Sequence, residues 1–238
     1  QYMEENVMTE TVVKIENLVK RYKDLVALDH FSIDIKEGEV FGLLGPNGSG
    51  KTTAINCLLS LLTFDKGTIE IFGEKMTPDN YRVKSQIGVI MQNVAVFDEL
   101  TVRENIEYFC GLYIKDKAAR KKYVNEAIEF VGLEDFVKFY PKKLSGGLLR
   151  RLNIACGIAH KPKLIILDEP TVGLDPSQVS EVRQLVKDLK KDHSVILSSH
   201  ILSEISAVCD RVVVINKGEI QAIDTIENLE NSMTANLL

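Results

Sequence analysis

The sequence predicts an α/β fold, and three observations carry this prediction. A short apolar run at residues 39–44 precedes a glycine-rich loop at 45–53, and apolar residues recur at helical spacing from 54 to 62. A second apolar run, at 164–167, ends in two carboxylates, which is typical of a parallel strand buried on both faces. Alternating segments near the start of the chain predict an antiparallel part beside this core.

The glycine-rich loop reads GPNGSGKTT and contains the pattern Gly-x4-Gly-Lys-Thr between a strand and a helix. Such glycines let the backbone turn tightly and aim N–H groups at phosphate oxygens, and the helix N-terminus adds partial positive charge. Lys51 supplies a point charge, and the Thr52 hydroxyl is placed to bind Mg²⁺. The residues predicted to bind ATP or GTP here are Asn47, Gly48, Ser49, Gly50, Lys51, Thr52 and Thr53.

Composition narrows the class of protein. The 238 residues suit one domain with lobes, and a net charge of -5 argues against a nucleic-acid binder with a broad basic surface. No apolar stretch approaches the ~20 residues of a membrane helix, and no secretory signal precedes the first strand, so a cytosolic protein is expected.

The four cysteines lack zinc-site or disulfide spacing and are predicted to be buried. Residues 1–9 are predicted to be a tail or a remnant outside the domain.

Two half-buried antiparallel strands are predicted first, at residues 12–18 and 31–35. Residues 20–24 between them are predicted to be a polar loop. Tyr22 in this loop could stack on a purine, and the alternative is that its ring packs at a strand end.

A strand is predicted at 67–73, and a buried strand that runs toward the glycine-rich loop at 87–91. Gln92 follows this second strand. Because ligands gather at the carboxyl ends of such strands, Gln92 could reach a metal-bound water or a phosphate oxygen. The alternative is a solvated glutamine.

The stretch between residues 92 and 144 interrupts the α/β alternation with short helices. Thr101 and Glu104 form a capping-box pattern, and Gly132 ends a second amphipathic segment. Exposed aromatic residues at 136, 139 and 140 predict a surface where a partner docks, unless they fill the small core of this lobe.

Ser145, Gly146 and Gly147 open the next helix, predicted at 148–159, and make a second anion-binding helix terminus. One nucleotide needs only one phosphate cradle. The second terminus therefore predicts a dimer in which it serves a nucleotide held by another copy, the alternative being a simple helix-start turn.

The strand predicted at 163–169 is expected to lie beside the strand of the glycine-rich loop. That neighbourhood would bring Asp168 near the Mg²⁺ bound by Thr52, while Glu169 could accept a proton from an attacking water. His200 follows a further buried strand at 194–198 and could donate to the terminal phosphate. The remaining histidines are interpreted as ordinary residues. A hairpin is predicted at 212–223.

Together these motifs resemble the ATP-binding cassette (ABC) ATPases. The segments that carry the resemblance, in the order found in that family, are GPNGSGKTT, Gln92, LSGG at 144–147, LIILDEP at 164–170, GLDP at 173–176 and SSH at 198–200. The resemblance covers nearly the whole chain. It implies a P-loop NTPase core of ABC type with an antiparallel β lobe, from residues 11–92 and 160–225, and an inserted helical lobe at 93–159, within a single domain.

The family resemblance also implies roles for the site residues. Two ATP molecules would be sandwiched in a head-to-tail dimer, each between the cradle of one copy and Ser145, Gly146 and Gly147 of the other. Tyr22 looks like the adenine-stacking residue, and Gln92 looks like the residue that links the metal to the helical lobe. The mechanism implied is attack of water on the γ-phosphate. Glu169 is expected to act as the base. Negative charge on the phosphoryl group is expected to be offset by Mg²⁺, Lys51, His200 and the opposing Ser145.

The resemblance favours the motor subunit of a membrane transporter of the exporter type. This subunit is expected to bind a permease at the inner face of the cell membrane. A soluble ABC ATPase acting on ribosomes or DNA is the alternative. Such proteins usually carry a coiled-coil insertion or a second cassette, whereas residue 92 and residue 145 are 53 positions apart (145 minus 92) and no second GKT occurs. A cassette that binds ATP without hydrolysis is disfavoured by Glu169 and His200.

One position departs from the family pattern. Leu148 stands where a glutamine usually follows LSGG. Because Ser145 and the two glycines are intact, hydrolysis is expected to survive, with a changed rate or a changed fit to a partner as the possible effect.

Overall fold

The computed structural model describes residues 9–235, in which two sheets are covered by helices. Residues 1–8 of the predicted tail lie outside this described part. Two 3-10 turns, Glu134–Phe136 and Pro141–Lys143, precede the fifth helix. The elements in chain order are β1 (Thr11–Tyr22), β2 (Leu25–Lys36), β3 (Val40–Leu44), α1 (Lys51–Leu58), β4 (Lys66–Ile71), β5 (Glu74–Lys75), α2 (Tyr81–Lys84), β6 (Ile87–Ile90), α3 (Val102–Gly111), α4 (Lys117–Val131), α5 (Gly146–Ile158), β7 (Leu164–Asp168), α6 (Pro176–Leu189), β8 (Ser194–Ser199), α7 (Leu202–Val208), β9 (Arg211–Asn216), β10 (Glu219–Thr225) and α8 (Ile226–Ala235).

The α/β class and the antiparallel sheet are confirmed. One sheet has the order β2-β1-β4-β5 and is antiparallel throughout. The other has the order β10-β9-β3-β8-β7-β6, with β9 to β6 parallel and β10 closing the predicted hairpin with β9.

The central strands β3, β8 and β7 of the six-stranded sheet are buried on both faces, which explains the continuous apolar runs. Leu164 and Ile166 of β7 pack in the cluster that also contains α1 and the antiparallel sheet. Ile165 and Leu167 pack in the cluster formed by the helices of the other face. Alternate residues of one strand thus serve two cores, so no polar position interrupts the strand.

One prediction about strand neighbours was wrong. β7 does not lie beside β3, because β8 pairs with both and separates them. The predicted burial of β6 is confirmed at Ile87, Gly88 and Ile90, although β6 is the edge strand of its sheet and Val89 on it is exposed. Apolar patterning reports burial of a strand and carries no information on which strand lies next to it.

Two predictions about element ends were also wrong. Residues 20–22, predicted to be loop, continue β1 and pair with β2, so the turn contains only Lys23 and Asp24. This end of β1 is largely exposed and lacks the alternation that marks a half-buried strand. The helix predicted to reach residue 62 ends at Leu58, and the backbone becomes left-handed at Ser60.

The helix termini follow their predicted caps. Thr101 Oγ1 accepts from the Glu104 N–H at 3.2 Å, and Glu104 Oε1 accepts from the Thr101 N–H at 3.0 Å, a capping box that contributes about 1 kcal/mol. Gly132 ends α4 in a left-handed conformation. Within residues 9–235, no helix combines the length and the apolar character needed to cross a membrane.

The predicted burial of the cysteines is confirmed. All four are buried and unpaired, and burial raises the pKa of each thiol, that of Cys209 to about 12. Their thiols are therefore protonated at neutral pH, and the four residues are small side chains of the core.

Candidate active site

Nine of the fifteen predicted site residues line one cleft of about 590 Å³, at the carboxyl ends of the parallel strands. The cleft has the size of a small-molecule site. Residues that line it are Tyr22, Leu25, Val26, Ala27, Asn47, Gly48, Gly50, Lys51, Thr52, Thr53, Gln92, Glu169, Lys217 and Gly218.

The glycine-rich loop leads into α1 at Gly50, where only glycine fits. Its φ is 113°, and a Cβ there would lie 2.9 Å from the Ala27 carbonyl oxygen. The first-turn N–H groups of α1 have no intrahelical acceptor, so the helix start offers donors and partial positive charge to an anion. The local backbone therefore suits a phosphate.

Lys51 is buried and points along the loop. Its ammonium donates to the carbonyl oxygens of Gly45 and Pro46, the latter at 3.1 Å, and lies 3.6 Å from Glu169 Oε1. The positive charge is thus held between the loop and a buried carboxylate, where a phosphate oxygen could be bound.

Asp168 at the end of β7 meets Thr52 in the first turn of α1, although β7 is not the neighbour of β3, the strand that precedes the glycine-rich loop. The Thr52 hydroxyl donates to Asp168 Oδ2 at 3.2 Å, and Ser198 Oγ of the intervening β8 donates to Asp168 Oδ1. A hydroxyl and a carboxylate side by side are hard oxygen ligands of the kind Mg²⁺ takes, usually with phosphates and waters completing its shell. This pair of residues therefore fits a magnesium ion.

Glu169 and His200 form a second pair at the same edge. Glu169 is buried with a φ of 48°, a left-handed conformation uncommon for a residue with a side chain. Its Oε2 accepts from His200 Nδ1 at 3.0 Å, whereas its buried Oε1 has no hydrogen-bond partner. Oε1 accepts no hydrogen bond and has only the Lys51 ammonium near it, at 3.6 Å, so it can accept a proton. Because Nδ1 carries the proton of the neutral ring, Nε2 donates to a phosphate oxygen only when the imidazole is doubly protonated.

Glu204 joins the two segments that carry this pair, and sequence reasoning missed it. Its buried Oε2 accepts from Thr171 Oγ1 and from Ser199 Oγ, the latter at 3.4 Å. Thr171 lies two residues after Glu169, and Ser199 directly precedes His200. The only signal in the sequence is a glutamate four residues after His200, which does not show that it is buried.

The cleft contains Tyr22, as predicted, and also a turn that the sequence did not indicate as part of it. Tyr22 is 43% exposed at the end of β1, and the Lys20 ammonium lies 4.9 Å from its ring centroid. The turn between β9 and β10 reaches the loop, since the Gly218 N–H donates to the Ser49 carbonyl at 2.8 Å. Lys217 in this turn lines the cleft.

Gln92 lies in the cleft, but the three residues from 145 to 147 do not. Gln92 is exposed, and its carbonyl oxygen accepts from Arg150 Nη2 at 2.8 Å. Ser145 caps α5 by accepting from the Leu148 N–H at 3.3 Å, and both Ser145 and Gly146 are exposed. The α5 terminus is thus not among the residues that line the cleft.

The other histidines lie outside the cleft. His160 stacks on Tyr113 with ring centroids 4.2 Å apart, and His193 Nδ1 contacts the Pro162 carbonyl. Burial lowers the pKa of both imidazoles, which favours their neutral forms. His30 is exposed beside Asp29.

Comparison with known sequences gives a consistent set of relatives. A family model described as ABC transporter matches residues 28–172. The chain is 39% identical to the bacitracin transport ATP-binding protein BcrA of Bacillus licheniformis, over 88% of this chain and 68% of that protein. It is 37% identical to the linearmycin resistance ATP-binding protein LnrL of Bacillus subtilis, over 92% and 70%. It is 35% identical to the daunorubicin resistance ATP-binding protein DrrA3 of Streptomyces coeruleorubidus, over 94% and 71%.

Solved structures of similar fold agree. cbiO1 from Clostridium perfringens, part of the ABC transporter complex cbiONQ, superposes with a TM-score of 0.87 at 27% identity, over 93% of this chain and 91% of that one. The ATP-binding cassette MJ0796, in a dimeric post-hydrolysis state bound to ADP and Pi, superposes with a TM-score of 0.80 at 28% identity, over 90% and 98%.

Proposed function

The chain belongs to the ABC transporter family of ATP-binding proteins, and from this premise we propose that it is the ATP-hydrolysing motor subunit of a membrane exporter. The observation that carries the proposal is one cleft that holds Lys51, Thr52, Glu169 and Gln92, with Asp168 and His200 bonded to two of them. Relatives named for bacitracin transport and for linearmycin and daunorubicin resistance support export of an antibiotic-like compound.

The chemistry proposed is in-line attack of water on the γ-phosphate. Glu169 accepts the proton of this water through Oε1, the oxygen that has no hydrogen-bond partner. Lys51 and the imidazolium form of His200, donating through Nε2, offset the charge that spreads over the phosphoryl oxygens. Because Glu204 ties the Glu169 segment to the His200 segment, the two groups keep a fixed separation.

Thr52 and Asp168 would hold Mg²⁺ in this proposal, with Gln92 reaching its shell directly or through water. When bound, the ion neutralises phosphate charge and orients the β- and γ-phosphates. The protein's own part is to keep Asp168 in place, which Ser198 does by donating to its second oxygen.

The active unit is proposed to be a head-to-tail dimer. Ser145, Gly146 and Gly147 would meet the γ-phosphate of ATP held by the other copy, since they do not line the cleft of their own chain. The α5 terminus offers N–H donors that suit an anion, and Ser145 and Gly146 are exposed, so a second copy can reach them.

Tyr22→Ala is expected to weaken ATP binding about tenfold, because an aromatic platform under a base contributes on the order of 1–3 kcal/mol. Tyr22→Phe keeps the ring and should bind ATP like the wild type. Titration calorimetry with ATP on both variants checks this. Binding of Tyr22→Ala within twofold of wild type would favour the alternative that the ring only packs at the end of β1.

The permease is proposed to dock on the helical lobe, residues 93–159. An aromatic patch on this lobe consists of Phe97, Tyr108 and Phe109. Its rings contact one another with centroids 4.9 to 5.7 Å apart, and Phe97 and Tyr108 remain exposed. An exposed apolar patch of this kind suits a short amphipathic helix of a membrane protein.

Purification from detergent-solubilised membranes of the native cell tests the transporter assignment. We expect the wild type to retain a membrane protein with several spans, located with it at the inner face of the cell membrane. Tyr108→Glu should lose that protein while the isolated subunit keeps its ATPase rate. Tyr81→Glu, an exposed tyrosine on α2, is the matched control. Recovery of ribosomes or DNA and no membrane protein would contradict the assignment.

A further inference from the structure

Arg150 is a buried cation in α5 that has no acidic partner. Arg150 is only 5% exposed. Within residues 9–235, no carboxylate lies at ion-pair distance from its guanidinium. Burial lowers the pKa of this guanidinium from its ordinary value. A charge placed there without compensation costs stability, so a specific set of contacts must explain it.

Those contacts all go to the backbone that carries Gln92. Arg150 Nη1 donates to the Met91 carbonyl at 3.1 Å and Nη2 to the Gln92 carbonyl at 2.8 Å. Asn153, one turn further on the same face of α5, donates to the Met91 carbonyl at 3.3 Å and accepts from the Ala95 N–H at 3.4 Å. Residues 91–95 follow β6 without regular structure, so these side chains fix their course.

The reach of Arg150 depends on close contact between α5 and β6. A Cβ on Gly88 would lie 2.1 Å from the Gly157 carbonyl oxygen, so β6 and α5 approach more closely than any side chain there would allow. β6 and α5 are therefore packed tightly together. The guanidinium of Arg150 connects the first turns of α5 to the backbone that follows β6.

We infer that Arg150 is a positioning residue that fixes Gln92 in the nucleotide cleft and couples it to the start of α5. This inference rests on the proposed function, in which Ser145 to Gly147 meet the ATP of the other copy. One helix then contacts both nucleotide sites of the dimer. Its first residues meet one ATP, and its next turn, through Arg150, sets the glutamine beside the other.

Arg150→Met tests the inference, with Arg151→Met as matched control. Arg151 is the adjacent residue on the same helix, and its guanidinium pairs with Glu181 and not with the Gln92 backbone. We expect Arg150→Met to lower kcat on the order of tenfold with KM for ATP little changed, because the cradle is untouched. Amide hydrogen exchange at residues 91–95 should become faster in Arg150→Met and remain unchanged in Arg151→Met.

A double-mutant cycle with Gln92→Ala separates positioning from general loss of packing. If Arg150 acts through Gln92, Arg150→Met should lower kcat no further in the Gln92→Ala background. Multiplicative loss in the double variant, or a wild-type kcat in Arg150→Met, would overturn the inference. If Arg150→Met does not fold, Arg150→Lys carries the same cycle, since one ammonium reaches one carbonyl and should give an intermediate kcat. An inactive wild type would instead overturn the proposed function.

Discussion

Replacing Glu169 by glutamine should leave ATP bound and stop its hydrolysis. Glutamine has the same shape and can still accept from His200 Nδ1, but it cannot take a proton from the attacking water. Lys51 keeps its contacts with the Gly45 and Pro46 carbonyls, so the phosphate loop should retain its form. We expect kcat to fall by at least about 10²-fold with the Kd for ATP within a few-fold of wild type.

The same variant should accumulate as an ATP-bound dimer, because binding closes the proposed dimer and hydrolysis opens it. Light scattering after size-exclusion chromatography with and without ATP measures this shift. Glu70→Gln, an exposed glutamate on β4, removes one negative charge away from the cleft and should behave like the wild type. ATP turnover near the wild-type rate in Glu169→Gln would contradict the assignment of Glu169 as the base.

The sequence could predict the fold class and the gathering of the cleft because both depend on local patterns. Residues that follow a buried parallel strand lie at the carboxyl edge of the sheet whatever the order of the strands. For this reason Asp168 meets Thr52 even though β8, and not β3, is the neighbour of β7. The contact between Asp168 and Thr52 therefore does not depend on which strand lies beside β7.

Features that depend on long-range pairing could not be predicted. Arg150 contacts carbonyls 58 and 59 positions earlier in the chain, and Glu204 contacts Thr171 at a separation of 33. In the sequence these are charged residues on helices, where exposure is the usual outcome. Their burial follows from how α5 packs on β6 and how α7 follows β8, and neither arrangement leaves a mark on residue spacing.

The structure gives a partial account of Leu148. The capping bond to Ser145 uses the Leu148 backbone N–H, and its side chain packs beside the core of the helical face, so the fold tolerates a residue other than glutamine. A leucine cannot donate or accept through its side chain. We therefore expect any effect on rate to come from a hydrogen bond that a glutamine side chain would make and a leucine side chain does not.

Mixing two inactive variants should restore activity if each site is built from two chains. Lys51→Met removes the cation of the cradle and should abolish hydrolysis at that cradle. Gly146→Asp places a carboxylate at the α5 terminus, where it would repel the γ-phosphate of the other copy. A side chain fits there, since the nearest atom to a Cβ on Gly146 is Leu174 Cδ2 at 3.9 Å. Each variant alone therefore carries one defect in every site of its homodimer.

A mixed dimer concentrates both defects in one site and leaves the other intact, with the cradle of the Gly146→Asp chain facing the α5 terminus of the Lys51→Met chain. Random mixing gives half mixed dimers, so independent sites predict recovery of about a quarter of the wild-type rate. ATPase activity across a titration of one variant into the other should peak at equal amounts. A different result would show that one chain completes its own site. In that case the activity of the mixture never exceeds the sum of the separate variants, and differently labelled chains do not associate when ATP is added.

The dependence of the peak on mixing ratio tests the composite site directly, because only a site shared between chains can be repaired by a partner that is itself inactive.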